Sequence, residues 1–307
     1  MTFIHKSEGQ YHDKKALHSN SSLPQLFDRS LYRKRRSATI IHPWYRNFLE
    51  EISKRLIKRL SYLTKNFPKV LQIGNDQGLL KNFLEQHKKT QYFITLEEKL
   101  PFLPSSSLAI VGDEENLPLA FNSFDLVIHF LNLHAVNDVP GVLTQTLKCL
   151  KPDGLMLAAF VGQDTFKELK VVFEELELDR YQGISQRISP WISTRDAGSL
   201  LQRAGFSIPA ADCDHLKIFY PHLKFLLQDL KSIGATSFLM NRKAPILTRK
   251  LLKEAEHLYQ EKFWDKKNLG VSVSIDIVYM TGWRSDLNHQ KPLIPGSAML
   301  SLETALL

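Results

Sequence analysis

Short apolar runs that alternate with helical segments between residues 70 and 161 constrain the fold of this chain most strongly. Each run is nearly continuous in apolar residues, which is typical of strands buried on both faces of a parallel sheet. The runs lie at Val70–Ile73, Tyr92–Leu96, Leu108–Val111, Phe124–Phe130 and Leu155–Val161. The pattern therefore predicts an α/β fold, in which a mostly parallel sheet carries helices on both faces.

The pattern extends to both sides of this region. Apolar residues recur at helical spacing over 44–63, and a turn signal at 151–154 precedes the fifth run. Further helices are predicted at 165–178, 194–203, 221–233 and 246–263, and further strands at 216–220 and 271–283. We expect a seven-stranded sheet and five segments: a flexible tail (1–26), a basic helical extension (27–68), a ligand-binding core (69–163), helical additions with the C-terminal half of the sheet (164–284), and a C-terminal tail (285–307).

The chain has a formal net charge of +8, and its basic residues are concentrated near the start. Five of them lie in one short stretch: Arg29, Arg33, Lys34, Arg35 and Arg36. An anionic partner such as RNA or an acidic carrier protein would explain this cluster, but we favour the simpler interpretation of a solvated helix face. No aromatic-rich RNA-binding motif accompanies the charges, so we do not expect nucleic acid as the partner.

The sequence predicts no membrane span, because no apolar stretch approaches the roughly 20 residues of a membrane helix. Charged residues interrupt the start of the chain, so we expect a cytoplasmic location, or the mitochondrial matrix if the chain is eukaryotic. Cys149 and Cys213 lack neighbours at metal-ligand spacing and are expected to be reduced thiols. His129 and His134 lack a third partner, so we predict no metal.

A glycine turn follows the first predicted strand, at Gly74-Asn75-Asp76-Gln77-Gly78. Ligands of open parallel sheets bind beyond the carboxyl ends of the strands, and glycine allows the backbone to approach them closely. The next helix then offers free N–H groups. Taken alone, two glycines four residues apart fit a simple strand-to-helix turn equally well.

Acidic residues follow the second and third predicted strands. Glu97 ends the second strand, about 20 residues after the glycine turn, where a carboxylate can accept hydrogen bonds from both ribose hydroxyls. Glu98 is the neighbouring candidate, and a solvated loop carboxylate is the alternative. Asp113 and Glu114 follow the third strand, where a carboxylate can receive an adenine amino group. These positions predict a nucleoside site.

The span from residue 70 to residue 161 resembles a class I methyltransferase domain of type 11, with a Rossmann-like sheet. The likeness rests on DEENLPLAFNSFDLVIHFLNLHAVND followed by LKPDG. Outside this span, FDRSLYRKRR, SPWISTRDAGSLLQRAGF, DLKSIGATSFLMNRK and VYMTGW resemble the mitochondrial complex I assembly factor 5 family and its bacterial relatives, which are similar to malonyl-acyl-carrier-protein methyltransferases. The resemblance implies S-adenosylmethionine as cofactor, and a complex I subunit or an acyl-carrier protein as partner. For the animal member it implies arginine hydroxylation.

Two residues depart from the glycine-rich loop of this family. Gln72 replaces the acid that usually meets the methionyl amine of the cofactor, and Asp76 replaces the middle glycine. Repulsion between Asp76 and the methionyl carboxylate at ~4 Å would cost roughly 1 to 4 kcal/mol. Alternatively, Asp76 pairs with the methionyl amine and restores the lost charge. We predict cofactor contacts at Gln72, Gly74, Asp76, Gly78, Glu97, Asp113, Glu114 and Asn132.

Methyl transfer from a sulfonium depends mainly on positioning, so the absence of a catalytic triad does not argue against it. His134 follows the fourth strand and is the candidate base, with a pKa near neutrality, although a packed loop histidine is the simpler interpretation. The predicted substrate contacts are Arg29, Arg35, Asp138, Tyr181 and Trp191.

Three functions agree with these residues. The first is an S-adenosylmethionine-dependent enzyme that acts on a protein or on a carrier-bound acid. The second is a non-catalytic assembly scaffold with a degenerate cofactor site, suggested by Gln72 and Asp76. The third is an RNA-modifying methyltransferase that uses the basic segment, which would show a steep salt dependence of RNA binding.

Overall fold

The computed structural model describes residues 25–37, 43–98, 108–242 and 247–286, together with positions 296–297, 301 and 304. Most of the two predicted tails, 1–26 and 285–307, lies outside the described residues. The helices are α1 (Arg29–Ser37), α2 (Pro43–Ser61), α3 (Leu79–Gln86), α4 (Val139–Cys149), α5 (Lys167–Tyr181), α6 (Thr194–Ala204), α7 (Leu223–Ser232) and α8 (Arg249–Phe263). The strands are β1 (Lys69–Ile73), β2 (Tyr92–Glu97), β3 (Leu108–Val111), β4 (Phe124–Phe130), β5 (Leu150–Val161), β6 (Ser207–Tyr220), β7 (Trp264–Asp265) and β8 (Gly270–Trp283).

One sheet runs through the described part of the chain in the order β3-β2-β1-β4-β5-β8-β6. The first five strands of this order are parallel to one another, whereas β8 is antiparallel to both β5 and β6. The two-residue strand β7 pairs with β8 and makes the sheet eight-stranded rather than seven-stranded. The predicted Rossmann-like architecture, mostly parallel and covered by helices, is confirmed.

Two apolar cores cover the two faces of the sheet. Helices α2 and α3 pack on one face, where Ile52, Leu56 and Leu80 are fully buried. Helices α4 and α6 pack on the other face, where Val142 and Leu201 are fully buried. Burial on both sides explains why the central strands are continuously apolar. A third core joins α5, α7 and α8 to the far end of β8.

Two predicted elements differ from the structure. The predicted strand at 216–220 is the last third of β6, whose burial alternates along the strand because it lies at the sheet edge. Its polar positions hid this strand in the sequence. The turn predicted at 151–154 is part of β5, where the register with β4 is irregular and Asp153 has φ +61°. Among the described residues, no helix has the length and hydropathy needed to cross a membrane.

Candidate functional site

The glycine turn after β1 is fixed by a close approach of two strands. Gly74 has φ +89°, and a Cβ at this position would lie 2.1 Å from the carbonyl oxygen of Phe130, at the end of β4. Only glycine fits there. Gly78 also has a positive φ, +85°, but faces open space at the start of α3. The turn therefore holds the ends of β1 and β4 together and presents the N-terminus of α3.

The side chain of Asp76 lies inside this turn. It is buried and accepts hydrogen bonds from the backbone N–H of Gly78 (3.0 Å) and of Leu80 (2.6 Å), and from the amide of Gln72 (3.0 Å). Asp76 therefore caps α3, and Gln72 is its neutral partner. These hydrogen bonds occupy the carboxylate within the fold and disfavour both forms of the predicted cofactor contact, which stays a prediction. The described residues that line the neighbouring cavity include Asn75 and Gln77 but neither Asp76 nor Gln72.

Four carboxylates gather at the carboxyl ends of β2 and β3, as the sequence predicts: Glu97, Glu98, Asp113 and Glu114. We call them the acidic edge. Glu97 pairs in register with Val111 at the end of β3, so the acids of the two strands follow the same edge of the sheet as Gly74. Glu97 and Glu114 are buried. Burial raises the pKa of Glu97, and it raises the pKa of Glu114 to about 7.

Helix α1 lies over the acidic edge and neutralises it with arginines. Arg36 donates to Glu97 at 2.9 Å, and both side chains are largely shielded from solvent. The basic cluster is thus not the solvated helix face that we favoured, because the anionic partner is the chain itself. The other pairs join Arg29 to Glu98, to Glu114 (2.7 Å) and to Asp113 (3.3 Å), and Arg33 to Glu98 (2.9 Å) and to Asp113.

A short 3-10 turn at Leu133–Ala135 places two predicted residues beside the end of β4. Asn132 is buried and contacts the Nδ1 atom of His129 at 3.2 Å, while its own Oδ1 has no hydrogen-bond partner among the described residues. His134 lines the cavity, and its Nδ1 also has no partner in the part of the chain that the structure describes. Burial, together with Arg36 and Arg29, lowers the pKa of His134 to about 3. The predicted pKa near neutrality is therefore wrong, and His134 is a neutral acceptor.

An apolar cavity of about 200 Å³ opens next to the glycine turn and the acidic edge. Its walls come from α1, α2, the segment after β5, and the α7 region. Trp191 lies in the wall, edge-on to Phe166 at 5.9 Å between ring centroids. Its indole Nε1 is buried, and no described residue accepts a hydrogen bond from it. Asp229 also lines the cavity and accepts a hydrogen bond from the hydroxyl of Tyr220 at 3.0 Å. The cavity thus combines aromatic walls with a carboxylate.

Four of the predicted substrate residues do not line this cavity. Arg29 is held at the acidic edge, and Arg35 donates to the carbonyl oxygen of Thr236 at 3.0 Å. Asp138 caps α4 by accepting from the N–H of Gly141 at 2.8 Å. Tyr181 is 46% exposed at the end of α5. Each of these side chains except that of Tyr181 is used in packing the fold, and the four substrate contacts stay predictions.

Sequence reasoning did not single out Arg36 as the partner of Glu97, and it missed Tyr220 and Asp229. The basic cluster indicates that some arginine has an anionic partner, but the sequence does not distinguish Arg36 from Arg33 or Arg35 as that residue. Asp229 lies on a helix whose sequence resembles any amphipathic helix, so only the fold shows that it faces a cavity.

Comparison with protein families places residues 58–158 in the methyltransferase domain family called Methyltransf_11. Two solved structures share the fold at low identity. The BH2331 protein of Bacillus halodurans C-125, described as a methyltransferase, is 14% identical with a TM-score of 0.52, covering 76% of this chain and 98% of that one. The YcgJ protein of Bacillus subtilis is 15% identical with a TM-score of 0.50, covering 77% and 99%.

The methyltransferase domain identifies S-adenosylmethionine as the cofactor, and the residues at this edge of the sheet fit it. The backbone at Gly74 leaves no room for a side chain, and Glu97 offers a buried carboxylate suited to ribose hydroxyls. Near this edge, buried polar atoms of Gln77, Asn132 and His134 have no hydrogen-bond partner within the described ranges. For Glu97 to accept from a ribose, the ion pair with Arg36 has to rearrange or share the carboxylate.

Curated relatives match nearly the whole chain. The human arginine-hydroxylase NDUFAF5, mitochondrial, is 34% identical over 284 residues, covering 90% of this chain and 82% of the relative. The zebrafish (Danio rerio) protein of the same name is 32% identical, covering 90% and 88%. A malonyl-[acyl-carrier protein] O-methyltransferase of Gallionella capsiferriformans is 26% identical, covering 76% and 83%. With this identity and coverage, the chain belongs to the NDUFAF5 family of methyltransferase-fold proteins.

Proposed function

We propose that this protein is an S-adenosylmethionine-dependent enzyme that modifies an arginine side chain of a protein substrate, in the assembly of respiratory complex I. The observation that carries the proposal is the carboxylate of Asp229 in the wall of an aromatic cavity next to the cofactor edge. A guanidinium is a flat cation that stacks on aromatic rings and pairs with carboxylates, so this wall suits it. The human relative is named an arginine-hydroxylase, which supports arginine as the side chain that is modified.

The charges of the cavity favour a cation over a carrier-bound acid. A carboxylate substrate needs a cation in the wall, but Arg36, the arginine among the described residues that line the cavity, is paired with Glu97. Asp229 contacts the neutral hydroxyl of Tyr220. Its charge therefore remains available to a guanidinium. The malonyl-carrier relatives support the alternative substrate, a carrier-bound acid, which remains the second candidate.

The residues around the cavity can position such a substrate. Asp229 would accept from the guanidinium N–H groups, and Trp191 Nε1 would donate to a substrate carbonyl. His134 stays neutral and can accept a hydrogen bond at Nδ1, so it orients the guanidinium and does not repel it. S-adenosylmethionine supplies an electrophilic methyl group when bound. The covered acidic edge and the apolar walls keep water from this group.

Mass spectrometry of complex I subunits tests the proposal. Subunits are purified from cells that carry the wild-type chain, no chain, or Asp229→Asn, with Asp179→Asn on the exposed surface of α5 as the matched control. We expect one arginine that is modified with the wild-type and Asp179→Asn chains and unmodified in the other two. The added mass distinguishes a methyl group from an oxygen atom.

Two results would contradict the proposal. If cells without the chain show the same masses for every arginine-containing peptide of complex I, then arginine is not the substrate. Normal complex I assembly with a variant that no longer binds S-adenosylmethionine favours the scaffold hypothesis instead. RNA modification is disfavoured because Arg29, Arg33 and Arg36 are paired with the acidic edge and are not presented to a phosphate backbone.

A further inference from the structure

Three side chains with metal-ligand chemistry meet on the face of the β6–β8 pair opposite the cavity: Cys213, His215 and Asp276. Cys213 and His215 are two residues apart on β6, so they point to the same face. His215 lies directly across from Asp276 of β8 in the register, which places all three on that face. Their candidate ligand atoms all lie within 4.8 Å of one another.

The geometry of this trio differs from that of a catalytic relay. The Nδ1 atom of His215 lies 2.7 Å from a carboxylate oxygen of Asp276 and 4.0 Å from the sulfur of Cys213. A relay needs the carboxylate on one imidazole nitrogen and the thiol on the other. Here both contact the same nitrogen, so the donor atoms of the three side chains converge on one point. Convergence of this kind is what a metal ion requires.

We propose that Cys213, His215 and Asp276 form a zinc-binding site with three protein ligands and a fourth position open to water. A tetrahedral zinc site separates its ligand atoms by roughly 3.5 Å, so the distances of 2.7 and 4.0 Å need only small opposite shifts. The combination of sulfur, imidazole and carboxylate ligands suits zinc better than magnesium or calcium. The imidazole of His215 is 72% exposed, so its side chain can turn and solvent can fill the fourth position.

The backbone around Asp276 is held in place from the side of the cavity. Thr165 Oγ1 bonds to both the N–H (2.9 Å) and the carbonyl oxygen (3.2 Å) of Asp276, and Thr165 itself lines the cavity. The N–H of Gly162 donates to the same carbonyl oxygen at 2.8 Å. A zinc ion here would therefore tie the edge strand β6 to the segment that follows β5.

The Cys213 thiol must lose its proton for zinc to bind. An ordinary cysteine thiol has a pKa of about 8.5 and is mostly protonated at neutral pH. Zinc uptake should therefore release a proton and weaken about tenfold for each unit that the pH is lowered. A simple ion pair between His215 and Asp276 would show neither effect.

Metal uptake by the full chain tests the proposal without any activity measurement. Zn²⁺ alone is titrated into the metal-free protein, and Co²⁺ is used as a spectroscopic substitute. We expect one ion per chain, and a thiolate-to-cobalt charge-transfer absorption. His215→Ala should weaken uptake at least tenfold, and Cys213→Ser should also abolish the charge-transfer band. His215 is exposed, so its variant should fold even if an Asp276 variant does not.

Cys149→Ser is the matched control, because this second cysteine is the buried last residue of α4 and has no place in the trio. It should bind zinc as the wild type does. The proposal is overturned if the wild-type protein takes up no zinc at micromolar concentration. It is overturned equally if His215→Ala and Cys213→Ser take up zinc as tightly as Cys149→Ser. Neither result bears on the arginine substrate.

Discussion

The acidic edge and the aromatic cavity lie side by side at the carboxyl end of the sheet, but different kinds of contact cover them. Arginines of α1 cover the acidic edge through ion pairs, whereas aromatic and aliphatic side chains enclose the cavity. A shielded ion pair that gives up one partner to a neutral ligand group leaves a charge without its counter-ion, so this exchange costs free energy unless the two ligands share the carboxylate. The packed aromatic side chains of the cavity instead give it a fixed shape. We call the glycine turn with the acidic edge the cofactor half of the site, and the aromatic cavity the cavity half. The comparison indicates that the cofactor half rearranges on binding and that the cavity half selects the substrate.

The glycine turn joins these two halves, and breaking it should have the largest effect. In Gly74→Ala the new Cβ meets the carbonyl oxygen of Phe130 at 2.1 Å, and the positive φ adds strain. We expect a loss of about 3 kcal/mol or more in the free energy of unfolding, together with loss of cofactor binding. Gly78→Ala is the control, because open space surrounds it, and should cost about 1–2 kcal/mol. Equal costs in urea denaturation would contradict the account.

A variant of Asp76 tests whether this residue, which stands where the family has a glycine, weakens the binding of S-adenosylmethionine. Asp76→Gly removes the acceptor for the N–H groups of Gly78 and Leu80, so it should lower the free energy of unfolding by about 2 kcal/mol. Because the carboxylate does not line the cavity, affinity for S-adenosylmethionine should not rise. Calorimetric titration and thermal denaturation check the two parts. A rise in affinity would restore the interpretation of Asp76 as a repulsive group.

The third prediction concerns the pH dependence of the free energy of unfolding, which should differ between the wild type and a variant of the buried His129. Burial lowers the pKa of His129 to about 4, against 6.5 in the unfolded chain. As the pH falls below 6.5, only the unfolded chain takes up this proton. The free energy of unfolding should therefore decrease by about 1.4 kcal/mol per pH unit down to about pH 4. Urea denaturation at several pH values should show a shallower slope for His129→Gln, and an unchanged slope would contradict the assignment.

A variant of Trp191 tests whether the cavity wall contacts the substrate and not the cofactor. Trp191→Phe keeps an aromatic ring in the wall but removes the unpartnered indole N–H. We expect KM for the protein substrate to rise about fivefold, since a neutral hydrogen bond contributes about 1 kcal/mol. The affinity for S-adenosylmethionine should not change. If the cofactor affinity falls instead, Trp191 belongs to the cofactor half and the division between the halves is wrong.

The sequence predicts the parts of the site that depend on local order along the chain. Gly74, Glu97 and Asp113 follow the ends of β1, β2 and β3, and parallel strands bring such positions to one edge. The sequence does not predict which way α1 faces, because a basic helix is equally compatible with solvent and with an internal acidic surface. The convergence of Cys213 and Asp276 also needs the β6–β8 register, since the two residues lie far apart along the chain.

The central claim is that Glu97 holds the cofactor and that Arg36 gives way to it. Titration calorimetry with S-adenosylmethionine on the wild type and Glu97→Gln tests it, with Asp125→Asn at the amino end of β4 as a control. We predict binding by the wild type and Asp125→Asn, and a dissociation constant about tenfold or more higher for Glu97→Gln. Equal binding by all three proteins would contradict the claim.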